Sequence, residues 1–269
     1  MKALTSMSDF ATLMASLAFI VGFASLAAFL LIRYLPVGLR AGAGTTAHAY
    51  MTAFGSLFAF LTGFLINSEY AYLKAAQNSV GQEVAAATQL ASASSTLPPP
   101  DAERIQDRMR VYLSSLPSAE WNALALDKPA SSPSGIYMGE LQQQVFSLSN
   151  REYPSTSALT AMEDAIAQMT QARRERIVIA SGSLPLPLFA LSLFAGMALI
   201  VNAIFVALKS GARFVFVASG LVLIVALAIA AVLAVSAPFR GPFVTKASPV
   251  IELVQELQAG RFTPWVQER

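Results

Sequence analysis

AYMTAFGSLFAFLTGFLINSEY, residues Ala49–Tyr70, decides the fold. Its core, Tyr50–Asn67, carries no charge. At about 1.5 Å of rise per residue, a helix of such a run crosses most of a bilayer's hydrocarbon core. Gly55, Ala59 and Gly63 recur at i, i+4 and i+8, with Thr52, Ser56, Thr62 and Ile66 alongside. Phe54, Phe58, Leu61 and Leu65 recur on another side. Small side chains let one backbone approach another inside lipid, so Gly55, Ala59 and Gly63 are assigned to helix packing. The stretch reads as a membrane span.

Upstream, residues 10–32, FATLMASLAFIVGFASLAAFLLI, form another unbroken apolar run. It exceeds the apolar core of a signal peptide, and its basic residues Arg33 and Arg40 follow it rather than lead it, so a retained span is expected. Between the two, residues 33–49 read as a connector, broken at Pro36 and Gly38 and loosened by Gly42 and Gly44. Downstream, alanine, glutamine and glutamate continue the second helix through SEYAYLKAAQNSVGQEVAAATQLASAS. Gly81 weakens that helix without ending it.

Residues 68–182 make up the sizeable non-membrane region. Pro98, Pro99 and Pro100 stop the long helix, and Asp101 is placed to cap the next. Ile105, Met109, Tyr112, Leu113 and Leu116 keep helical spacing, as do Leu159, Met162, Ile166 and Met169. SAEWNALAL and GIYMGELQQQVFSLSN read as further helices, with DKPASSPSG a loop between them. A third span begins at Leu184-Pro185 and a fourth runs from about Phe214 to Val235, joined by a tight turn at Lys209–Arg213. The tail holds one short helix, with Ser248 as cap, Pro249 in the first turn and Gly260 as stop. The expected architecture is all-α. A first membrane pair (1–67) and a second (183–236) flank a helical extramembrane domain (68–182), and a tail (237–269) follows.

Composition agrees. The chain has 269 residues, 55% hydrophobic and 13% charged, with mean hydropathy +0.56, against about a quarter charged in soluble domains. Its formal charge of +2 and lack of a dense basic run exclude nucleic acid as a partner. Without cysteine there is no thiolate nucleophile, disulfide or Cys-based metal site. His48 is the sole histidine, which leaves neither a zinc ligand set nor a Ser-His-Asp arrangement. No catalytic constellation, metal site or cofactor site is expected.

The spans hold no Asp, Glu, Lys or Arg at depth, which argues against a pump or proton-coupled transporter. Asn67 and Asn202 are their polar residues of note. A passive pore needs no buried charge, since aromatic rings gate by dewetting and polar residues at the mouth select. Phe54, Phe58, Phe64, Asn67 and Glu69 are the pore or gate candidates if the second span lines an axis. The bland alternative has the phenylalanines packing against another span or facing lipid. Arg173, Arg174 and Arg176, just before the third span, are assigned to headgroup or anion attraction. Four spans put both termini and the helical domain on one side. The total of flanking Lys and Arg places that side in the cytoplasm, while their density in the two short loops points the other way.

The order QNSVGQEVAAATQLA, LPPPDAERIQDRMRVYLSSLPSAEW, ARRERIVIASGSLPLPLFAL and SAPFRGPF resembles the bestrophin-like family of bacterial membrane proteins over nearly the whole chain. The matching marks are Glu83, the Pro-Asp helix start, Tyr112, Glu120-Trp121, Arg173, Arg176, Leu184-Pro185, and Pro238-Phe239 with Gly241. One position departs: the family usually carries an acid two residues before the Pro-Phe pair, and Ser236 stands here. The resemblance implies a bacterial cytoplasmic-membrane protein with cytoplasmic termini. It further implies a homo-oligomer that passes ions, anions above all, along an axis lined by the second span.

Two functions follow as expectations. One is a passive oligomeric channel. The other is a non-transporting scaffold that holds a protein partner through its helical domain and tail, where Val250, Val254 and Leu257 form a stripe and Trp265 follows. The lipid bilayer is a partner in both.

Overall fold

The computed structural model of the protein describes residues 2–34, 36–126, 128, 131–148, 156–182, 184–210, 212–240 and 243–264. Of these, the side chains at 2–10, 12, 37–45, 48, 156, 209, 210 and 212–214 fall outside the description. The expectations placed on His48 and Trp265 therefore rest on the sequence alone. Every regular element among the described residues is helical: α1 (Lys2–Tyr34), α2 (Val37–Ser94), α3 (Pro99–Ser115), α4 (Trp121–Ala125), α5 (Ser134–Leu148), α6 (Thr156–Ser181), α7 (Leu186–Ser210), α8 (Ala212–Val235) and α9 (Ser248–Gln258). A single π turn, Leu116–Glu120, joins α3 to α4.

Among the described residues, four stretches are long and apolar enough to cross a membrane: Leu13–Tyr34, Ala49–Ser94, Ser157–Leu208 and Val215–Val235. The protein is an integral membrane protein of four spans. In the third stretch the helix breaks between Ser181 and Leu186, and the uncharged part is α7 up to Leu208. Proline suits this entry, because the first amides of a helix have no intrahelical acceptor to lose.

The chain divides into two compact units, Met1–Leu73 with Ser183–Phe243 and Lys74–Gly182 with Val244–Arg269. In the first unit α7 and α8 pack as a hairpin and α1 lies on both. Ile20, Phe58, Ala195, Leu199, Ile200, Val225, Ala226 and Ile229 form its core. Gly196 is the point of closest approach. A Cβ built there would lie 2.9 Å from Phe58 Cε2 and 3.0 Å from Val225 Cγ1. One turn further, the Thr62 and Ser192 hydroxyls share a buried hydrogen bond of 2.8 Å. Asn202 donates to the Ala198 carbonyl of its own helix at 2.8 Å.

In the second unit α3 packs on α5 and α9, and α5 on α6. Ile105, Met109, Tyr112, Leu113 and Leu116 are wholly buried, as are Met162, Ile166 and Met169 to within 1%. Val250 and Leu253 bury the tail helix in the same unit. Gly260 ends that segment with φ +74°, a left-handed conformation that suits glycine.

Several local expectations are corrected. The connector shrinks to the bend around Pro36, since α2 starts at Val37 and includes Gly42 and Gly44. Each glycine costs a helix about 1 kcal/mol, an amount that tertiary contacts and helix continuity override. Asp101 does not cap α3. The cap position is Pro98, without a side-chain bond, and Asp101 instead pairs with Arg104 at 3.3 Å. The tail helix likewise has Ala247, not Ser248, at its cap.

Candidate functional site

The residue pattern of α2 resolves into two faces. Phe58, Leu61, Thr62, Leu65, Glu69, Leu73, Ala76, Val80 and Glu83 are all buried. Opposite them, Ala53, Ser56, Phe60, Gly63, Phe64, Asn67, Ala71, Lys74 and Asn78 are all exposed, at helical spacing. Of the pore candidates, Phe58 is 5% exposed against Gly196, Phe54 is half-buried, and Glu69 is 3% exposed. Phe64 is 50% exposed and Asn67 is exposed, so the five candidates do not share one face. Phe60, 71% exposed, lies with Phe64 and Asn67 and was missed. The small-residue stripe also splits. Gly55 approaches Leu199, with 3.8 Å from a built Cβ to Leu199 Cδ1, whereas Ala59 and Gly63 are exposed.

The buried face of α2 carries two carboxylates with opposite surroundings. Glu69 Oε1 has no hydrogen-bond partner among the described residues. Glu83, fourteen residues on, is fully engaged: the Tyr112 hydroxyl and both terminal nitrogens of Arg176 donate to it. Arg176 also donates from Nε and Nη2 to Glu120 Oε1, the former at 3.1 Å. Arg173 Nε donates to Glu120 Oε2 at 3.0 Å. The Ser134 hydroxyl donates to that same oxygen and receives Arg173 Nη2 at 3.3 Å. The Trp121 ring lies 5.2 Å from the Arg176 guanidinium carbon, a cation–π distance, and its Nε1 donates to the Thr245 carbonyl at 2.9 Å.

Two carboxylates thus balance two guanidiniums, and Glu83, Glu120 and Arg176 have no exposed side-chain surface. Burial lowers the Arg176 guanidinium from its ordinary value to about 9, which leaves it cationic at neutral pH. Tyr112 is pushed well above its ordinary value, first by burial and then by the charge of Glu120, so it stays protonated and donates. The π turn is what delivers Glu120 to this centre; an extra residue in a helical turn re-aims the side chains that follow. Gly135 lies beside this centre, where a Cβ would stand 3.4 Å from Arg173 Nη2.

This corrects the assignment of Arg176 to headgroup or anion attraction, because a side chain with no exposed surface cannot meet a lipid or a passing ion. Arg173 is mostly buried with Glu120, and Arg174 alone of the three is exposed. Ser132 and Ser134, bonded to each other at 2.7 Å, were missed because the loop composition around them signals only a turn.

A family model for the bestrophin-like domain matches residues 18–250. The chain belongs to the bestrophin-like family. Two solved structures share the fold, both of a bacterial bestrophin homologue from Klebsiella pneumoniae. A tryptophan-to-alanine variant has TM-score 0.73 and 14% identity, over 94% of this chain and 97% of that one. An isoleucine-to-threonine variant has TM-score 0.71 and 13% identity, over 91% and 99%. No curated protein matches the chain. In this bestrophin-like chain, Glu83, Tyr112, Glu120, Trp121, Arg173 and Arg176, scattered over 94 positions, meet in one buried ion network.

Proposed function

We propose that this bestrophin-like protein is a subunit of a homo-oligomeric channel that passes ions passively, anions in preference, along an axis faced by α2. The observation that carries the reading is the two-sidedness of α2. Its buried face is occupied within the subunit by Gly196 and Ser192, while Phe60, Phe64 and Asn67 on the other face remain exposed. Repeated around an axis, exposed aromatic rings form an apolar constriction that gates by dewetting, and asparagine supplies donors where it widens. Phe60, Phe64 and Asn67 are the residues assigned to it. Phe54, Phe58 and Glu69 are not, since each turns into its own subunit. The ion network fixes the extension of α2 to α6 and the π turn.

The scaffold alternative gains no support. Val250 and Leu253 of the tail are buried against this chain's own helices, and Gln106 Nε2 holds the Phe262 carbonyl at 2.7 Å.

The test is ion flux through reconstituted protein. Phe60→Ala and Phe64→Ala are expected to change conductance or gating by about tenfold while leaving the particle's mass and melting temperature intact. Unchanged flux in both variants, in a particle of unchanged size, overturns the assignment of α2 to the axis.

A further inference from the structure

Two grooves open on the helical unit, one on either flank of α2. The first, of about 500 Å³, lies between α2 and α6, and Arg174, Glu175 and Val178 are part of its α6 wall. The second, of about 350 Å³, lies between α2 and the segment that leads into α9. Val244, Lys246 and Ser248 are part of its far wall. Between the grooves runs an exposed stripe of α2, Lys74, Asn78, Gly81 and Ala85, at helical spacing. At about 3.6 residues per turn, Ala75, Ser79 and Gln82 fall to one side of this stripe, where they line the first groove. Gln77 and Val80 fall to the other side and line the second. Both grooves therefore open at the same level of α2, over residues 75–82 and 77–81.

Each wall leaves something unanswered within its own chain. Val178 and Val244 are exposed apolar side chains. Arg174 and Lys246, both exposed, have no ion-pair partner among the described residues. Glu175 is met by the Gln171 carboxamide at 2.9 Å and by no cation among those residues. A cyclic assembly turns one flank of each subunit toward the opposite flank of the next. Rotation about an axis moves nothing along that axis, so grooves at one level of α2 meet at one height. The ammonium of Lys246 then comes to the side that carries Glu175, and valine comes to valine.

We propose that the groove between α2 and α6 receives the Val244–Ser248 segment of a second copy of this chain, with Lys246 on Glu175 and Val244 against Val178. This pairing rests on the reading that α2 faces the axis of a homo-oligomer, and it names the surfaces that close the ring.

The chain has no cysteine, so a pair placed across the contact reports on that contact alone. The experiment puts Val178→Cys and Ser248→Cys, both at exposed positions, in the full-length protein. The protein is treated in detergent with a short bismaleimide, and the mass of the intact particle is measured by light scattering on the same sample. The expected result is a ladder of covalent multimers on a denaturing gel, reaching the size of the particle, while each single variant stays at one chain. A link within one chain adds no rung. Multimers from a single variant mean that like flanks meet, which overturns the proposal. An oligomeric particle without a ladder overturns the groove pairing and leaves the axis reading standing, whereas a monomeric particle overturns both. The charge pair has its own readout, the dilution at which the particle dissociates. Lys246→Glu is expected to weaken assembly about tenfold by setting like charges together, and Glu175→Lys in the same chain to restore it. A double variant no tighter than Lys246→Glu removes the pair.

Discussion

Arg176 is the side chain on which the most depends. It answers two buried carboxylates at once, and its ring partner Trp121 closes the remaining side. Arg176→Ala leaves Glu83 and Glu120 ionised and short of a counter-charge, a change that costs about 3–5 kcal/mol at buried sites. Thermal unfolding of the solubilised particle should fall by roughly 10 °C or more, with Arg176→Lys intermediate because an ammonium cannot span both acids as the planar fork does. Tyr112→Phe removes one donor to Glu83 and should cost only about 1.5–3 kcal/mol. A loss in Tyr112→Phe equal to that in Arg176→Ala would mean the network acts through packing and not charge. At Gly196 the argument is steric. Gly196→Ala would press on Phe58 and Val225, with an expected cost of about 1–3 kcal/mol. Phe58→Leu in the same molecule should recover part of that loss. An equal melting temperature for Gly63→Ala, where nothing stands within 4 Å, is the control. Neither the burial of Arg176 nor the tightness at Gly196 was legible in the sequence. An arginine beside a span reads as an interfacial charge, and its two acids lie 93 and 56 positions away.

At the scale of the element, α2 shows what periodicity can and cannot decide. Its existence, the lack of charge in residues 50–67 and its unbroken run to Ser94 follow from composition and propensity. Which phenylalanine faces inward does not, because an apolar helix in lipid has no polar side to mark the outside. Phe54, Phe58, Phe60 and Phe64 are equivalent as hydropathy and different as contacts. They are separated by experiment in one comparison. Phe58→Ala empties a packed position and should cost about 3–5 kcal/mol in stability, whereas the same change at Phe60 should leave stability near wild type. Equal losses at the two positions would remove the two-sided reading of the helix. The connector shows a second limit. Proline and glycine signal a break correctly at Pro36, but Gly42 and Gly44 sit inside the helix that follows. The tail helix is the reverse case, where Pro249 early and Gly260 at its end mark the boundaries to within a residue or two.

At the scale of the whole molecule, the tail separates the two functions the sequence leaves open. A scaffold would keep its tail available, whereas here the tail completes a unit of its own chain. Removing everything after Phe243 takes away Val250 and Leu253, which bury in that unit, and the carbonyl that accepts the Trp121 indole N–H. Burial of two such side chains contributes about 1.5–3 kcal/mol each, and a buried donor left unmatched costs about 1–3 kcal/mol. The sum is comparable with the stability of a whole domain, so the truncated protein should lose the helical unit and keep its apolar spans. Tryptophan emission reads this directly. The chain holds two tryptophans, Trp121 and Trp265, and truncation leaves only Trp121, with Trp265→Phe in the full-length chain as reference. The reference should emit as a buried indole, and the truncated protein should shift to the red as Trp121 meets water. Hydrogen exchange should then quicken in Pro99–Ser115 and Thr156–Ser181 while Leu186–Ser210 stays protected. If instead Trp121 keeps its emission and those helices their protection, the tail is an appendage free to hold a partner, and the scaffold reading returns.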